Sequence, residues 1–579
     1  MRDEVDGGRE NLIFEKKMQI NSCYSNEAFN SYFKRTLTGS TETSTPFPHF
    51  SLPNFIADSE FLDKLSAELM KVKWSRKEND LYSLSQTNDL ANFSSDKFPT
   101  LVKYREFIEN DVRKWVECAS DIKLNAKVAL TGSLYHYTDL LLPHDDQLEG
   151  RKFAFILYLC DDTWKIEDGG QLRLYNCDVK FLYLLSIMGN LLLSAVAKFF
   201  VVNPVPLLSS LFVELTHQFI TLVPFFVLSP GAKRLSINGW FHADDVVPSP
   251  QPTVALLPML KPHMDITYEE VMQWINPVYI VPEEQARVRR LFGKRSEIDL
   301  THFIQKEKYD EVLQSLGTCE FELVGPLSRR QVWCLREDGI AQESCVSSLL
   351  RLFRSRAITL LLSQWTGLAL HPLMEEDAGQ TANETDGGEA PNTKRAKLEE
   401  EIGAKELSGG GFKDISCTVA LKRFSRGCYT MVDDQLALEA DKNGYCLDLQ
   451  LFFGAEDWDE NAGGFISYVA KDEENEVLRV GPVSNSAALV YREPDVFPFV
   501  RYVNDRAKDQ LFYVLNCSFF GVHPGEGGSS DGDSSLEETD EDEECGGTEV
   551  MEEDDRQVHH DEAAGDGRSG PVNENTKSD

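Results

Sequence analysis

None of the twelve cysteines stands in a Cys-x-x-Cys pair. Their scatter suits a reducing compartment and argues against a structural zinc site. Met1 to Glu10 is charged and has no apolar run, so no secretory signal is expected. Positive charge is in short supply: 58 Lys and Arg stand against 95 Asp and Glu, for a formal charge of −37. So acidic a chain repels phosphates, and direct nucleic-acid binding is not expected. Histidine is missing between His371 and His523, which denies that stretch any imidazole for metal binding or acid–base work. Charge is nearly missing from Phe181 to Pro230, where Lys198 and Glu214 carry all of it.

The excess of acid is local. It gathers in 374–411, with Glu375-Glu376-Asp377 and Glu399-Glu400-Glu401, and in 523–579, with the run from Glu537 to Glu544. Such runs self-repel and cannot bury a core, so both segments are expected to be disordered. They act either as solubilising polymer or as docking sites for basic partners. Lys394-Arg395-Ala396-Lys397, inside the first of them, has the composition of a nuclear import signal. The expected location is nucleus and cytoplasm.

The rest is globular in texture, with 42% hydrophobic residues over 579 positions, too many for one core. Residues 1–45 are polar and expected to be disordered, with order beginning at Pro46-Phe47-Pro48-His49-Phe50. Phe61, Leu62, Leu65, Leu69 and Val72 fit one helix face, capped by Asp58 or Ser59. Beyond residue 125 short β-type runs take over. Phe153 to Leu159 has the look of a buried strand, and Gly169-Gly170 of a turn into the next.

That phrase recurs 294 residues later, Phe153 corresponding to Leu447. Trp164 precedes Gly169-Gly170 by the same five residues that separate Trp458 from Gly463-Gly464. Both copies run on to an Ala-Lys pair, Ala232-Lys233 and Ala507-Lys508, and then to an aromatic-rich segment. Two related β-domains follow. The first is placed at 46–247 and the second, free of histidine, at 412–522. Between them 248–373 is a connecting and helical part of the second domain, with Tyr268–Leu316 and Val346–Leu362 read as helical. Any metal chemistry is thereby confined to the first copy.

Oxygen-activating iron sites use two His and one carboxylate on one face of the metal. The first two often come as His-x-Asp, because alternate residues of an extended chain project to the same side. Four pairs fit: His144-x-Asp146, His242-x-Asp244, His263-x-Asp265 and His559-x-Asp561. Only the first opens a β-domain and is followed by a buried strand, a Gly-Gly turn and then Arg234 on a late apolar strand. A guanidinium there can fork onto a carboxylate. The plainer readings are a surface turn for His144-x-Asp146 and a surface ion pair for Arg234.

The stretch from Tyr135 through His144-Asp145-Asp146 to Arg151, with Phe155 to Leu159, Gly169-Gly170 and Arg234 to His242, resembles the eukaryotic 2-oxoglutarate- and iron-dependent ribosomal prolyl 3-hydroxylases. The likeness covers most of 46–520. It implies a mainly β fold with flanking helices: two tandem double-stranded β-helix (jelly-roll) domains, the second non-catalytic. It implies Fe(II), 2-oxoglutarate and O₂, with ascorbate as reductant. The implied substrate is a proline of a small-subunit ribosomal protein near the decoding centre, with an effect on translation termination and fidelity. By that likeness His144 and Asp146 bind iron, Arg234 takes the distal carboxylate of 2-oxoglutarate, and Tyr158 and Tyr135 lie beside the cosubstrate. For both tyrosines core packing with a satisfied hydroxyl is the plainer alternative.

The pattern breaks at the third ligand. Family likeness expects a second His about a dozen residues before Arg234, and the nearest is His217, seventeen before it. His217 falls in the apolar interval 178–232, where Phe181–Val202 has the length and apolarity to span a bilayer. Three readings stand. A membrane helix would split a β-domain between its strands, and no membrane is expected as a partner. A divergent folded interval would recruit His217 as ligand. A segment that is not the family's native one would leave the imidazole missing and His217 a core residue. The rival to an enzyme is therefore a catalytically impaired double jelly-roll protein that binds basic ribosomal partners.

Overall fold

The computed structural model describes residues 18–42, 48–144, 150–160, 164–165, 168–170, 172–175, 181–185, 198–202, 219–222, 230–244, 258–373, 415–432, 444–471 and 476–522. All of them lie in one compact unit that runs to Gly527. The acidic segments, the basic tetrapeptide and the His559 pair fall outside the described residues.

Order begins earlier than the composition suggests. Helix α1 (Glu27–Leu37) is capped by Asn26, whose side chain accepts from the Phe29 amide. Its apolar residues Phe29, Phe33 and Leu37 recur at helical spacing inside a Ser- and Asn-rich segment. Phe33 is fully buried and stacks on Phe50 at 3.9 Å, and the Trp115 indole donates to the Tyr24 carbonyl at 2.8 Å. The expectation of disorder over 1–45 is thus corrected for 18–42: a few aromatics at the right period outweigh polar composition. Helix α2 (Ser59–Leu69) has Asp58 as its cap, accepting from Phe61, and buries Leu62, Leu65 and Leu69 as expected. Helices α3 (Pro99–Phe107) and α4 (Arg113–Ser120), joined by a π-type turn over Ile108–Val112, complete the layer.

Against these helices lies a large sheet. Its strands are β1 (His49–Pro53), β2 (Ser75–Glu78), β3 (Tyr82–Gln86), β4 (Val128–Tyr135), β5 (Leu140–Leu141), β6 (Arg151–Tyr158), β9 (Lys198–Val202) and β11 (Arg234–His242). They run in the order β1-β9-β6-β11-β4-β3-β2, with β5 beside β3. A smaller sheet of β7 (Leu172–Tyr175), β8 (Phe181–Leu185) and β10 (Phe219–Leu222) has the order β10-β7-β8. Side chains alternate along β11. Leu235, Ile237 and Phe241 join the helical core, while Arg234, Ser236, Asn238 and Trp240 face the other way. Tyr135, Tyr158, Trp164 and Leu172 form a second cluster on that side.

The second half repeats the plan. Strands β12 (Glu297–Thr301), β13 (Phe321–Val324), β14 (Arg330–Leu335), β15 (Ser416–Ser425), β16 (Tyr429–Thr430), β17 (Cys446–Phe453), β20 (Ser486–Arg492) and β22 (Leu511–Phe520) build its large sheet. The order is β12-β20-β17-β22-β15-β14-β13, with β16 beside β14. Strands β18 (Ile466–Ala470), β19 (Glu476–Val480) and β21 (Val496–Val500) form the small one, β19-β18-β21. Every strand of the first plan has a counterpart in chain order. Helices α5 (Tyr268–Trp274), α6 (Pro282–Arg295), α7 (Lys306–Leu316), α8 (Cys345–Phe353) and α9 (Arg356–Thr366) pack on its outer face. The helical reading of Tyr268–Leu316 missed β12, a five-residue strand whose register is supplied by β20.

The Trp and Gly-Gly signature has one physical role in both copies. The Trp164 indole donates to the Gly169 carbonyl at 3.3 Å, and Trp458 donates to Gly463 at 2.9 Å. Both glycine pairs adopt positive φ, and a Cβ on Gly463 would fall 2.1 Å from the Tyr502 carbonyl oxygen. The apolar interval carries strands. Phe181–Leu185 and Lys198–Val202, read above as a possible bilayer span, are β8 and β9, and β9 lies between β1 and β6. Among the described residues no helix is long and apolar enough to cross a membrane.

Candidate active site

Arg234, the first residue of β11, lies opposite Tyr135 of β4, and two residues on Ser236 lies opposite Tyr158 of β6. Period-two alternation therefore turns all four side chains to the same face. Arg234 is 1% exposed. Its guanidinium carbon lies 4.9 Å from the Tyr135 ring centre and 4.7 Å from that of Tyr158. The two π faces hold the planar fork in one orientation. Burial pushes both phenols above their usual range, and the Arg234 cation pulls against it in each case. Both hydroxyls stay protonated at neutral pH.

Beyond Arg234 the same face continues as a polar ladder of buried Ser133 and Ser236 with half-buried Asn238. Asn238 Nδ2 donates to Ser133 Oγ at 2.7 Å, and Ser236 Oγ lies 3.4 Å from Asn238 Oδ1. Sequence reasoning passed over Ser133, Ser236 and Asn238. The signal was present in β11 itself, where Arg-x-Ser-x-Asn alternates with Leu-x-x-x-x-x-Phe neighbours on the core side.

His144 follows β5 closely. Its Nδ1 is 2.8 Å from the Leu142 carbonyl oxygen. A carbonyl only accepts, so Nδ1 is the donor here, and Nε2 is the nitrogen through which a metal would be bound. Asp146 and His217 lie outside the described residues; in the chain His217 stands two positions ahead of β10. The structure thus brings Arg234, Tyr135 and Tyr158 together, and places His144 on the loop that leaves β4 at Tyr135.

The competing pairs are used otherwise. His242 Nδ1 bonds the Lys127 carbonyl at 3.0 Å, and Asp244 accepts from Asn125 at 2.9 Å. His263 Nε2 bonds the Arg351 carbonyl at 2.9 Å, with Asp265 Oδ2 3.7 Å from its other nitrogen. Both sets stitch loops to neighbouring backbone.

In the second copy the register puts Phe512 where Arg234 stands, opposite Phe424, and Val514 where Ser236 stands, opposite Phe452. Phe424 and Phe512 stack at 5.4 Å and Trp458 meets Phe512 edge-on at 4.8 Å, filling the space with apolar rings. Val432-Asp433-Asp434-Gln435-Leu436 takes the place of His144-Asp145-Asp146-Gln147-Leu148, a valine for the imidazole.

The profile of the 2OG-Fe(II) oxygenase superfamily matches residues 130–242. That described as oxoglutarate and iron-dependent oxygenase degradation C-term matches 267–521. A Xenopus laevis protein named prolyl 3-hydroxylase OGFOD1 is 34% identical over 474 residues, covering 81% of this chain and 85% of its own. The Mus musculus protein of that name is 32% identical over 547 residues, 87% of this chain and 95% of its own. Drosophila melanogaster prolyl 3-hydroxylase sudestada1 is 26% identical over 521 residues, 84% of this chain and 85% of its own. A solved Pseudomonas putida prolyl-4-hydroxylase aligns at 16% identity and a TM-score of 0.27, over 36% of this chain and 98% of its own.

Proposed function

The chain belongs to the iron- and 2-oxoglutarate-dependent prolyl 3-hydroxylase family, and we propose that its first β-domain carries the whole catalytic site. Iron(II) with 2-oxoglutarate supplies, when bound, the oxidation of a proline C–H bond by O₂ coupled to decarboxylation of the keto acid. The single observation that carries the assignment is Arg234, a fully buried guanidinium clamped between Tyr135 and Tyr158. A cation so placed fits the distal carboxylate of 2-oxoglutarate by two parallel N–H···O bonds. The protonated Tyr135 and Tyr158 fit as donors beside it.

His144 and Asp146 would hold iron, and the Leu142 carbonyl keeps His144 in the tautomer a metal needs. His217, just ahead of β10, is the imidazole the chain offers for the remaining position. The ladder of Ser133, Ser236 and Asn238 keeps the floor of the site polar and ordered. Ascorbate is the proposed reductant. The second β-domain is proposed as non-catalytic: Phe512 and Val432 occupy the places of Arg234 and His144. The proposed substrate is a proline in a small-subunit ribosomal protein, with consequences for translation termination and fidelity. The excess of acidic residues suits a basic partner. On this reading the protein works in the nucleus and the cytoplasm.

The test is succinate release from 2-oxoglutarate by the purified full chain with Fe(II), ascorbate and proline-bearing ribosomal peptides. Product mass should rise by one oxygen, and Arg234→Ala should abolish turnover. No turnover and no stoichiometric iron would leave the chain as an interaction protein. Unchanged activity in His217→Ala would remove that residue alone from the ligand set.

A further inference from the structure

We infer that the second β-domain is a clamp on the iron-ligand loop of the first, with Arg501 and Tyr502 as positioning residues. The inference rests on the reading of His144 as a ligand. The loop from Tyr135 to His144 needs holding. Thr138 within it has a φ of +73°, a conformation a β-branched residue keeps only where its surroundings impose it.

Two routes lead from the second domain to that loop. One is polar. Arg501, directly after β21, is 11% exposed and pairs with Glu78, while also donating to the Asn79 carbonyl. Ser83 Oγ donates to Glu78 at 3.3 Å and accepts from Arg76 at 2.6 Å. Arg76 then reaches Asp139, buried in the loop, at 2.6 Å. The other oxygen of Asp139 accepts from the His136 amide at 2.8 Å, closing the turn that contains Thr138. On the same β2–β3 turn the Val432 amide donates to Asp80 at 3.0 Å. The second domain therefore grips Asn79 and Asp80 side by side.

The second route is apolar. Leu140 and Leu142 form one buried cluster with Tyr429 and Tyr502 of the second domain, flanked by Leu81 and Met431. Leu142 is the residue whose carbonyl fixes the His144 tautomer, and its amide donates to Leu81 at 2.8 Å. One residue thus joins the interdomain cluster to the ligand. The Gly-Gly turn of the second copy anchors the clamp: the Gly464 amide donates to the Arg501 carbonyl at 3.0 Å. Contact this close to Gly463 leaves no room for a Cβ beside Tyr502.

The experiment titrates Fe(II) anaerobically into the full chain with saturating 2-oxoglutarate, following the visible charge-transfer band of the bound pair, with melting curves in parallel. Arg501→Ala and Tyr502→Ala should each raise the Kd for Fe(II) by on the order of ten-fold, as outer-shell partners of metal ligands do. Arg501→Lys should recover part of the loss. Asp139→Asn, which keeps shape but breaks the pair with Arg76, should give the same shift if an alanine variant does not fold. Folded Arg501→Ala, Tyr502→Ala and Asp139→Asn proteins with wild-type Fe(II) affinity would overturn the clamp. His144→Ala separates the two ideas: retained Fe(II) binding in that variant would defeat the ligand reading itself.

Discussion

Taking the Arg234 guanidinium to 1% exposure costs desolvation that packing alone does not return. Tyr135 and Tyr158 offset part of that cost and fix the plane of the fork. On the proposed reading, the distal carboxylate of 2-oxoglutarate would meet this fork by two parallel N–H···O bonds. Lysine at this position would keep the charge and lose both the stacking and the paired bonds. Hydrogen bonds to charged groups are worth roughly 1.5–3 kcal/mol each, so Arg234→Lys should raise the KM for 2-oxoglutarate by about ten- to hundred-fold. The rate at saturation should change far less. A steady-state series in 2-oxoglutarate reads both; an unchanged KM would remove Arg234 from cosubstrate binding.

The first helix shows how an element can hide in its composition. Phe33 is fully buried against Phe50, and large-to-small changes of this kind cost about 3–5 kcal/mol. Phe33→Ala should therefore lower the denaturation midpoint sharply, although it lies far along the chain from any site residue; no change would mean that α1 is dispensable. Sequence reading missed α1 because six polar or charged residues in it outnumber Phe29, Phe33 and Leu37, the apolar residues that set its face. It missed β12 for another reason, since Glu297–Thr301 owes its strand to pairing with β20, a partner nearly two hundred residues away. The apolar interval was ambiguous because a buried strand and a membrane helix draw on the same residues, and only pairing partners separate them. What was legible had local causes. Asp58 capped its helix as expected, and the Trp-to-Gly-Gly spacing marked a hydrogen bond made in both copies. Arg234 stood out because a basic residue opens a strand whose other face is apolar. The ladder of Ser133, Ser236 and Asn238 did not, for small polar residues in strands are common and their shared face appears only with register.

At the scale of the molecule, two copies of one topology differ in what stands at the position of Arg234. In the first, the face of β11 toward the small sheet carries Arg234, Ser236 and Asn238. In the second, the same face of β22 carries Phe512 and Val514, packed with Phe424, Phe452 and Trp458. Rings thus fill the place of the Arg234 guanidinium, and the cation further along that interior, Arg492, is paired with Asp448 at 2.8 Å, which also accepts from Ser518 at 2.6 Å. The chain should accordingly bind one 2-oxoglutarate, not two, in an anaerobic calorimetric titration with Fe(II) present. Arg234→Ala should abolish that binding and leave no residual second site. Phe512→Arg puts the guanidinium back at the matching register, yet without phenols or a ligand histidine beside it the buried charge is uncompensated. It should lower the melting temperature and create no second binding event. A measured stoichiometry of two, or a second site gained by Phe512→Arg, would mean that the second interior opens. Its role could then not be confined to holding the loop that carries His144.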